Sequence, residues 1–351
     1  MAMEIQEISK IAEKLIKQKN FKGALSFLKK TLEKDSNNAE IMIMLGFVHS
    51  QLNFKEMSSE EVAKLSKKAL DLNKKSPLVM KYLGILNFNR KEYDKAIRCY
   101  NKAIDLDPNN AEIWFGMGRT YHEKNKISKA IESYTKAVEL DPNLIDAWNY
   151  LAIIYELKND DGNAIIIYKK LISLIPDSTE DSTEEEVYDK KIEYNKNILS
   201  LDPYNLDAWE GLAIIYEANK EFEKALVCYE KATELAPYDI DLWINVGNLY
   251  VAKKEYEAAI EFYEKAINLA PDHAIRKNIP LIKSYKKVLE VQPDNVNLWI
   301  NMGYAYEYRS QYDEAVNCYE KALQIDPNNA LARYKWMEAH EEAHEEKKNK
   351  S

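Results

Sequence analysis

Close to its C-terminal end the chain carries His340-Glu341-Glu342-Ala343-His344, two imidazoles four residues apart flanking a carboxylate. On a helix such histidines lie one turn apart on one face, and with a third ligand they hold a zinc ion whose water the glutamate activates. Only seven residues follow His344, none of them a third ligand, and a catalytic zinc site needs three protein ligands in an enclosed cleft. A metal-dependent hydrolase through His340, Glu341 and His344 is therefore kept only as an alternative to a solvated, glutamate-rich helix. The three cysteines, Cys99, Cys228 and Cys318, each precede a tyrosine and follow an alanine three residues earlier. Phe27, Ser133, Ile167 and Phe262 take the same place elsewhere, so the position asks for a small or apolar side chain and the thiols read as reduced and buried. With no glycine-rich phosphate loop, no Cys-x-x-Cys and no Gly-x-Ser-x-Gly, the expectation is no catalytic residue, no cofactor and no metal.

Charge narrows the partner classes. Against 49 Lys and Arg stand 58 Asp and Glu, a net charge of −9. Phosphate backbones need clustered Lys and Arg, and here Lys alternates with Glu in runs such as Glu221-Phe-Glu-Lys224, so an RNA-binding helical repeat is the weaker second alternative. The first nineteen residues space Ile5, Ile8, Ile11, Leu15 and Ile16 between charges and contain neither a secretory core nor a membrane span. The chain reads as cytoplasmic, with neither membrane nor nucleic acid as partner.

The elements that position these residues follow from a period. In 111–144, Trp114 precedes Met117-Gly118 and Tyr121, then Ala130, Tyr134, Ala137 and Pro142. The next unit repeats the order with Trp148, Leu151-Ala152, Tyr155, Ala164, Tyr168 and Pro176, and Trp to Trp and Pro to Pro are each 34 residues. Apolar residues three and four apart with one proline per unit predict two helices joined by short turns. Gly118 and Ala130 lower the facing surfaces so that the helices approach, and Pro142 stops the second helix. Asn143, with Asp146 three residues on, is expected to cap the next helix.

This ordered set resembles the tetratricopeptide repeat. The resemblance implies an all-α fold, an α-solenoid built as a right-handed superhelix of antiparallel helix pairs, that binds proteins in a groove lined by the first helix of each pair. Carried onto this chain, the groove falls at Phe115, Arg119 and His122, at Ile153, Glu156 and Leu157, at Glu217, at Ile244 and Val251, and at Ile300, Tyr304, Glu307 and Tyr308. Acids early in helices, such as Glu112 and Asp146, suit the helix dipole, whereas Glu123, Glu156, Glu217 and Glu307 fall at helix ends where that account fails. The expected partner is a protein segment with apolar anchors and Lys or Arg; self-association is compatible with the same surface. Family members that clasp acidic chaperone tails use Lys and Asn at fixed places; here Ile85 follows Lys81 where Asn would be needed, so that ligand is not expected.

The period defines the domains. Units one to five are 5–38, 39–76, 77–110, 111–144 and 145–178, within a block 1–178; the second is four residues longer, with an insertion expected at 57–60. An acidic insert and an unpaired helix take 179–205, units six and seven 206–273, a second unpaired helix 274–295, unit eight 296–329, and a capping helix with a frayed tail from Lys347 the rest of 330–351. The turn at Asp160-Asp-Gly-Asn163 lacks the usual aromatic and is expected to be looser. Short connections make consecutive helices antiparallel, so the first unpaired helix is expected to reverse the first helices of units six and seven and the second to restore them. A cap at Ser182 would leave a linker barely able to run back, and the groove is then expected as three surfaces, on 1–178, 206–273 and 296–351.

Overall fold

A computed structural model describes residues 2–52, 57–176, 183–270 and 280–350, and all regular structure among them is helical. The chain forms two compact units, Met1–Leu174 and Ile175–Ser351.

In the first unit ten helices follow one another: α1 (Ala2–Lys17), α2 (Phe21–Lys34), α3 (Ala39–Gln51), α4 (Ser59–Leu72), α5 (Pro77–Asn89), α6 (Tyr93–Leu106), α7 (Ala111–Glu123), α8 (Ile127–Leu140), α9 (Ile145–Leu157) and α10 (Asp161–Leu174). Odd-numbered helices are the first of each pair and even-numbered ones the second, and each packs on its neighbours in sequence. The second unit holds α11 (Glu184–Leu201), α12 (Leu206–Ala218), α13 (Phe222–Leu235), α14 (Ile240–Lys253), α15 (Tyr256–Leu269), α16 (Leu281–Leu289), α17 (Val296–Glu307), α18 (Tyr312–Ile325) and α19 (Ala330–Lys350).

Two contacts recur and explain the period. The first is a glycine beneath a tyrosine: Gly84, Gly118, Gly247 and Gly303 on first helices lie under Tyr100, Tyr134, Tyr263 and Tyr319 of the second, so close that a Cβ on Gly247 would come within 2.4 Å of the Tyr263 ring. Those rings are at most 2% exposed, which makes each pair a small core of its own. The second is a tryptophan staple. The indole N–H of Trp114, Trp148, Trp209, Trp243 and Trp299 donates to the carbonyl of the proline six residues earlier, at 2.8–3.0 Å, tying each first helix to the turn that precedes it. Arg333 makes the same bond to Pro327 at the last helix. Within every pair whose turn is fully described, the turn passes through one left-handed residue, such as Lys91, Asn125 or Ser310.

Several local expectations are corrected. Helix α9 is capped by Leu144 and not by Asn143, because the chain has Leu where most units have a second Asn or Ser; Asn143 instead donates its N–H to Asp141. The turn before α10 is not looser: Asn159 is left-handed as in the other pairs, and Asp160 accepts from both the backbone and the side chain of Asn163. Ile11, placed on the buried face by its spacing, is 48% exposed, while Ala12 beside it is fully buried. Ser58 and Glu61 form a capping box at α4, inside the expected insertion, and residues 53–56 lie outside those described. The expected cap Ser182 also lies outside them; α11 is capped by Thr183 and Glu186, a capping box with both bonds in place. The tail is not frayed at Lys347, since α19 continues to Lys350 and Lys347 Nζ meets Asp313 Oδ1 at 2.7 Å.

The two odd helices differ in setting. α11 packs on α12 as a second helix would, with Asn195 beneath Gly211 where Tyr100 lies beneath Gly116. α16 lies between α15 and α17. Tyr285, at its middle, bonds Glu264 of α15, and its first residue Leu281 shares a cavity with Ile267 and Asn268 nearer the end of α15, so the two helices run antiparallel. Asn301 of α17 bonds the same Glu264, and Ala305 lines that cavity. Residues 271–279, which include the expected half helix, lie outside those described.

Candidate binding faces

In the first unit, first helices bring polar and aromatic side chains to one cavity of about 570 Å³. Its floor is ionic. Lys81 on α5 is 4% exposed, and its ammonium meets Glu13 of α1 at 2.5 Å and Glu112 of α7 at 2.8 Å; Lys17 of α1 also reaches Glu112, at 2.5 Å. A buried ammonium is stable only when it is paired, and here three helices supply the charges. Burial works against the charged form of both partners. The carboxylates nonetheless raise the ammonium pKa of Lys81, and Lys81 and Lys17 hold the Glu112 carboxyl at about 2. Lys81 is thus committed to its own chain.

Above that floor, Arg119 of α7 lays its guanidinium 4.6 Å from the Phe88 ring centre and 5.9 Å from that of Phe115, within the range of cation–π attraction. No carboxylate pairs with Arg119 among the described residues. Phe115 also packs against Tyr134 and Tyr150, each 5.8 Å away. The structure therefore brings Phe115 and Arg119 together at this cavity. His122 stands apart, half-buried with its ring edge-on to Tyr150 at 5.9 Å. Ile153 and Leu157 are 44% and 71% exposed, on α9 and outside the cavity lining.

The acids at helix ends have a structural partner. Glu156 accepts the phenol of Tyr168 at 2.7 Å and Glu217 that of Tyr229 at 3.1 Å, the same twelve-residue step from first to second helix. Burial raises the Glu217 pKa against the opposing effect of that bond. In unit four the step from Tyr134 leads to His122, and the Tyr134 hydroxyl is left without a hydrogen bond among the described residues. Glu307 stands in the corresponding place beside Tyr319; burial raises its pKa, opposed by Lys335 of α19 at 3.5 Å.

Two expected groove residues are corrected. Ile244 and Ile300 are 5% and 2% exposed, packed in the core around α15 to α18, because the face of their helices that they occupy meets neighbouring helices and not solvent. Val251 is half-buried and packed against the same core. Tyr304 and Tyr308 do share a second cavity, of about 300 Å³, with Glu264, Tyr285 and Asn301. Sequence reasoning missed the last three; it assigned the groove to first helices, whereas Glu264 belongs to a second helix and Tyr285 to the unpaired one. It also missed the Glu13–Lys81–Glu112 cluster, whose members lie 68 and 31 positions apart.

At the C-terminal helix His340 and His344 are both exposed, and His340 packs on Trp336 at 5.1 Å. Among the described residues no group of three or more His, Cys, Asp or Glu is placed to hold a metal ion, and no helix is long and apolar enough to cross a membrane. The cysteines are free; Cys228 and Cys318 are buried, and burial pushes their thiols up to about 11 and about 12.

A family profile described as TPR repeat matches residues 84–124 and 118–159. Three described as tetratricopeptide repeat match 145–178, 204–272 and 296–329. A 52-residue stretch is 38% identical to the tetratricopeptide repeat domain-containing protein PYG7, chloroplastic, of Arabidopsis thaliana; the match spans 15% of this chain and 17% of that protein. Among solved structures, the APC/C hetero-tetramer Cut9-Hcn1 contains a chain similar over 93% of this one and 54% of its own length, at 17% identity and a TM-score of 0.38. MamA from Desulfovibrio magneticus RS-1 matches over 51% of this chain and 97% of its own, at 21% identity and 0.38. Human IFIT1, solved as a dimer with PPP-AAAA, matches over 88% and 69%, at 19% identity and 0.37.

Proposed function

The chain belongs to the tetratricopeptide-repeat family, and we propose that it is a non-enzymatic scaffold holding protein partners against its first helices. The observation that carries this reading is the convergence of α1, α3, α5 and α7 on one cavity, with Arg119 held on two phenyl rings and free of any carboxylate among the described residues. A stacked guanidinium, unpaired among the described residues, beside half-buried aromatic rings favours a partner that brings both an acceptor and an apolar anchor. In the second unit Lys335 lies 4.9 Å from the Tyr304 ring centre and pairs with Glu307 and Glu338. Here a first helix already holds a lysine of its own chain, which supports partners carrying apolar anchors and basic residues. The hydrolase alternative gains nothing from His340 and His344, both of which are exposed and have no third ligand placed beside them among the described residues.

Immobilised full-length chain tests the reading against the variants Arg119→Ala and Leu157→Asp, using native cell extract. We expect a discrete set of proteins that the wild type retains and that Arg119→Ala loses at unchanged melting temperature. Retention of the same set by both variants would contradict the role given to the first helices.

A further inference from the structure

We propose that the cavity between α15, α16 and α17 is a socket for the side chain of a lysine presented by a partner protein. The inference rests on the scaffold reading and extends it to a site at the place where an unpaired helix interrupts the repeats. Where pairs alternate regularly, a second helix faces the first helix of the next pair directly. Here α16 intervenes, and Glu264 of a second helix comes to share one cavity with Tyr304 and Tyr308 of a first helix.

The chemistry of the lining selects the occupant. Glu264 is half-buried, and its Oε1 accepts from Tyr285 Oη at 2.5 Å and Asn301 Nδ2 at 3.0 Å. Its Oε2 makes no hydrogen bond or ion pair among the described residues. Among the described residues neither Lys nor Arg lines the cavity; Tyr285, Tyr304 and Tyr308 do. A carboxylate fixed by two donors, with one oxygen free and aromatic faces around it, attracts a cation both by charge and by the ring quadrupoles. An anionic ligand would meet the carboxylate without a compensating base. The volume of about 300 Å³ admits one long aliphatic side chain, and Tyr308, 44% exposed, leaves the mouth open.

The same helix supplies a precedent for lysine. Lys335, which does not line the cavity, lies over Tyr304 while its ammonium meets Glu307 at 3.5 Å and Glu338 at 2.8 Å. Tyr304 with Glu307 is thus already filled once, by Lys335 of α19, and Tyr308 with Glu264 offers the combination a second time without an occupant among the described residues.

The test uses the full-length chain and ligand-observed NMR with acetyl-lysine-methylamide as probe. Acetyl-norleucine-methylamide is the neutral control and spermidine the free polyamine. Glu264→Gln keeps an acceptor for Tyr285 and removes the charge; Tyr308→Ala opens the mouth at an exposed position; Glu261→Gln, exposed on the same helix, is the control for charge alone. The lysine probe is expected to bind the wild type and Glu261→Gln alike, and Glu264→Gln and Tyr308→Ala about tenfold more weakly. The norleucine probe should bind no better than the lysine probe does to Glu264→Gln. Equal affinity for both amino-acid probes, or lysine binding unchanged by Glu264→Gln, would overturn the socket. Spermidine binding that depends on Glu264 while the lysine probe fails to bind would also overturn it, in favour of a small polyamine. Partner retention through Arg119 concerns the other unit, so either result can fail without the other.

Discussion

At the scale of the residue, two side chains do most to set the repeat, and each makes a separable prediction. The indole N–H of Trp209 donates to the Pro203 carbonyl at 2.9 Å, a bond that a phenyl ring cannot make. Trp209→Phe keeps the apolar bulk and should cost about 1 kcal/mol, read as a shift in the denaturation midpoint at unchanged slope. Gly247 is a matter of space, because its Cβ would enter the ring of Tyr263, which is fully buried and has no room to swing. Alanine stands in the equivalent place at Ala152 and Ala213, so one methyl can be absorbed by a small separation of the helices. Gly247→Ala is therefore expected to cost about 1 kcal/mol and Gly247→Leu about 3 kcal/mol in chemical denaturation. Both roles are legible in the sequence, since the spacing from Trp to Pro and from Gly to Tyr is constant. The roles of Glu156 and Glu217 are not. Placed at helix ends, they look like a steering rim, and only the coordinates show that each holds a buried phenol. Their charge reversal would strip a hydrogen bond from the core as well as alter the surface, so Glu→Gln is the cleaner probe of steering.

At the scale of the element, helix existence and pairing follow from period and proline, and the errors are one residue wide. The cap of α9 shifts from Asn143 to Leu144 because a cap is chosen by backbone position, and the chain has no polar side chain there. The cap of α11 belongs to Thr183 because Glu186 three residues later completes the box. Thr183→Ala should lower stability by about 1 kcal/mol, with the loss seen first in the hydrogen exchange of the first turn of α11. Gly162 is the opposite case. It lies in the first turn of α10 with no atom within 4 Å of its missing Cβ and without a positive φ. Gly162→Ala should stabilise the chain by about 0.5–1 kcal/mol, measured as a raised melting temperature. The position of α16 was readable only as a broken period. Its consequence, an aromatic cavity shared by a second and a first helix, depends on helix direction, which spacing does not carry.

At the scale of the molecule the ionic cluster of the first unit sets a pH response. Glu112 has a folded pKa of about 2, below the ordinary carboxylate value. Its contribution is complete above that ordinary value and is lost as pH falls through the folded one. The melting temperatures of wild type and Glu112→Gln, well separated at pH 6, should therefore draw together as pH falls from about 4.5 and meet only below about pH 2. A gap as wide at pH 2 as at pH 6 would remove Glu112 from the account. The cluster was illegible in the sequence because Glu13 and Lys81 are 68 positions apart, and only helix packing joins them.

The central claim is that partners meet the first helices and not the second. It is tested most directly by placing a photoreactive phenylalanine analogue at single positions of the full-length chain and irradiating in native extract. Phe115 and Tyr308 report on first helices; Ile166 and Val227, 65% and 55% exposed on α10 and α13, report on second helices. The account predicts covalent protein adducts from Phe115 and Tyr308 and none from Ile166 or Val227. Adducts confined to Ile166 and Val227 would contradict it.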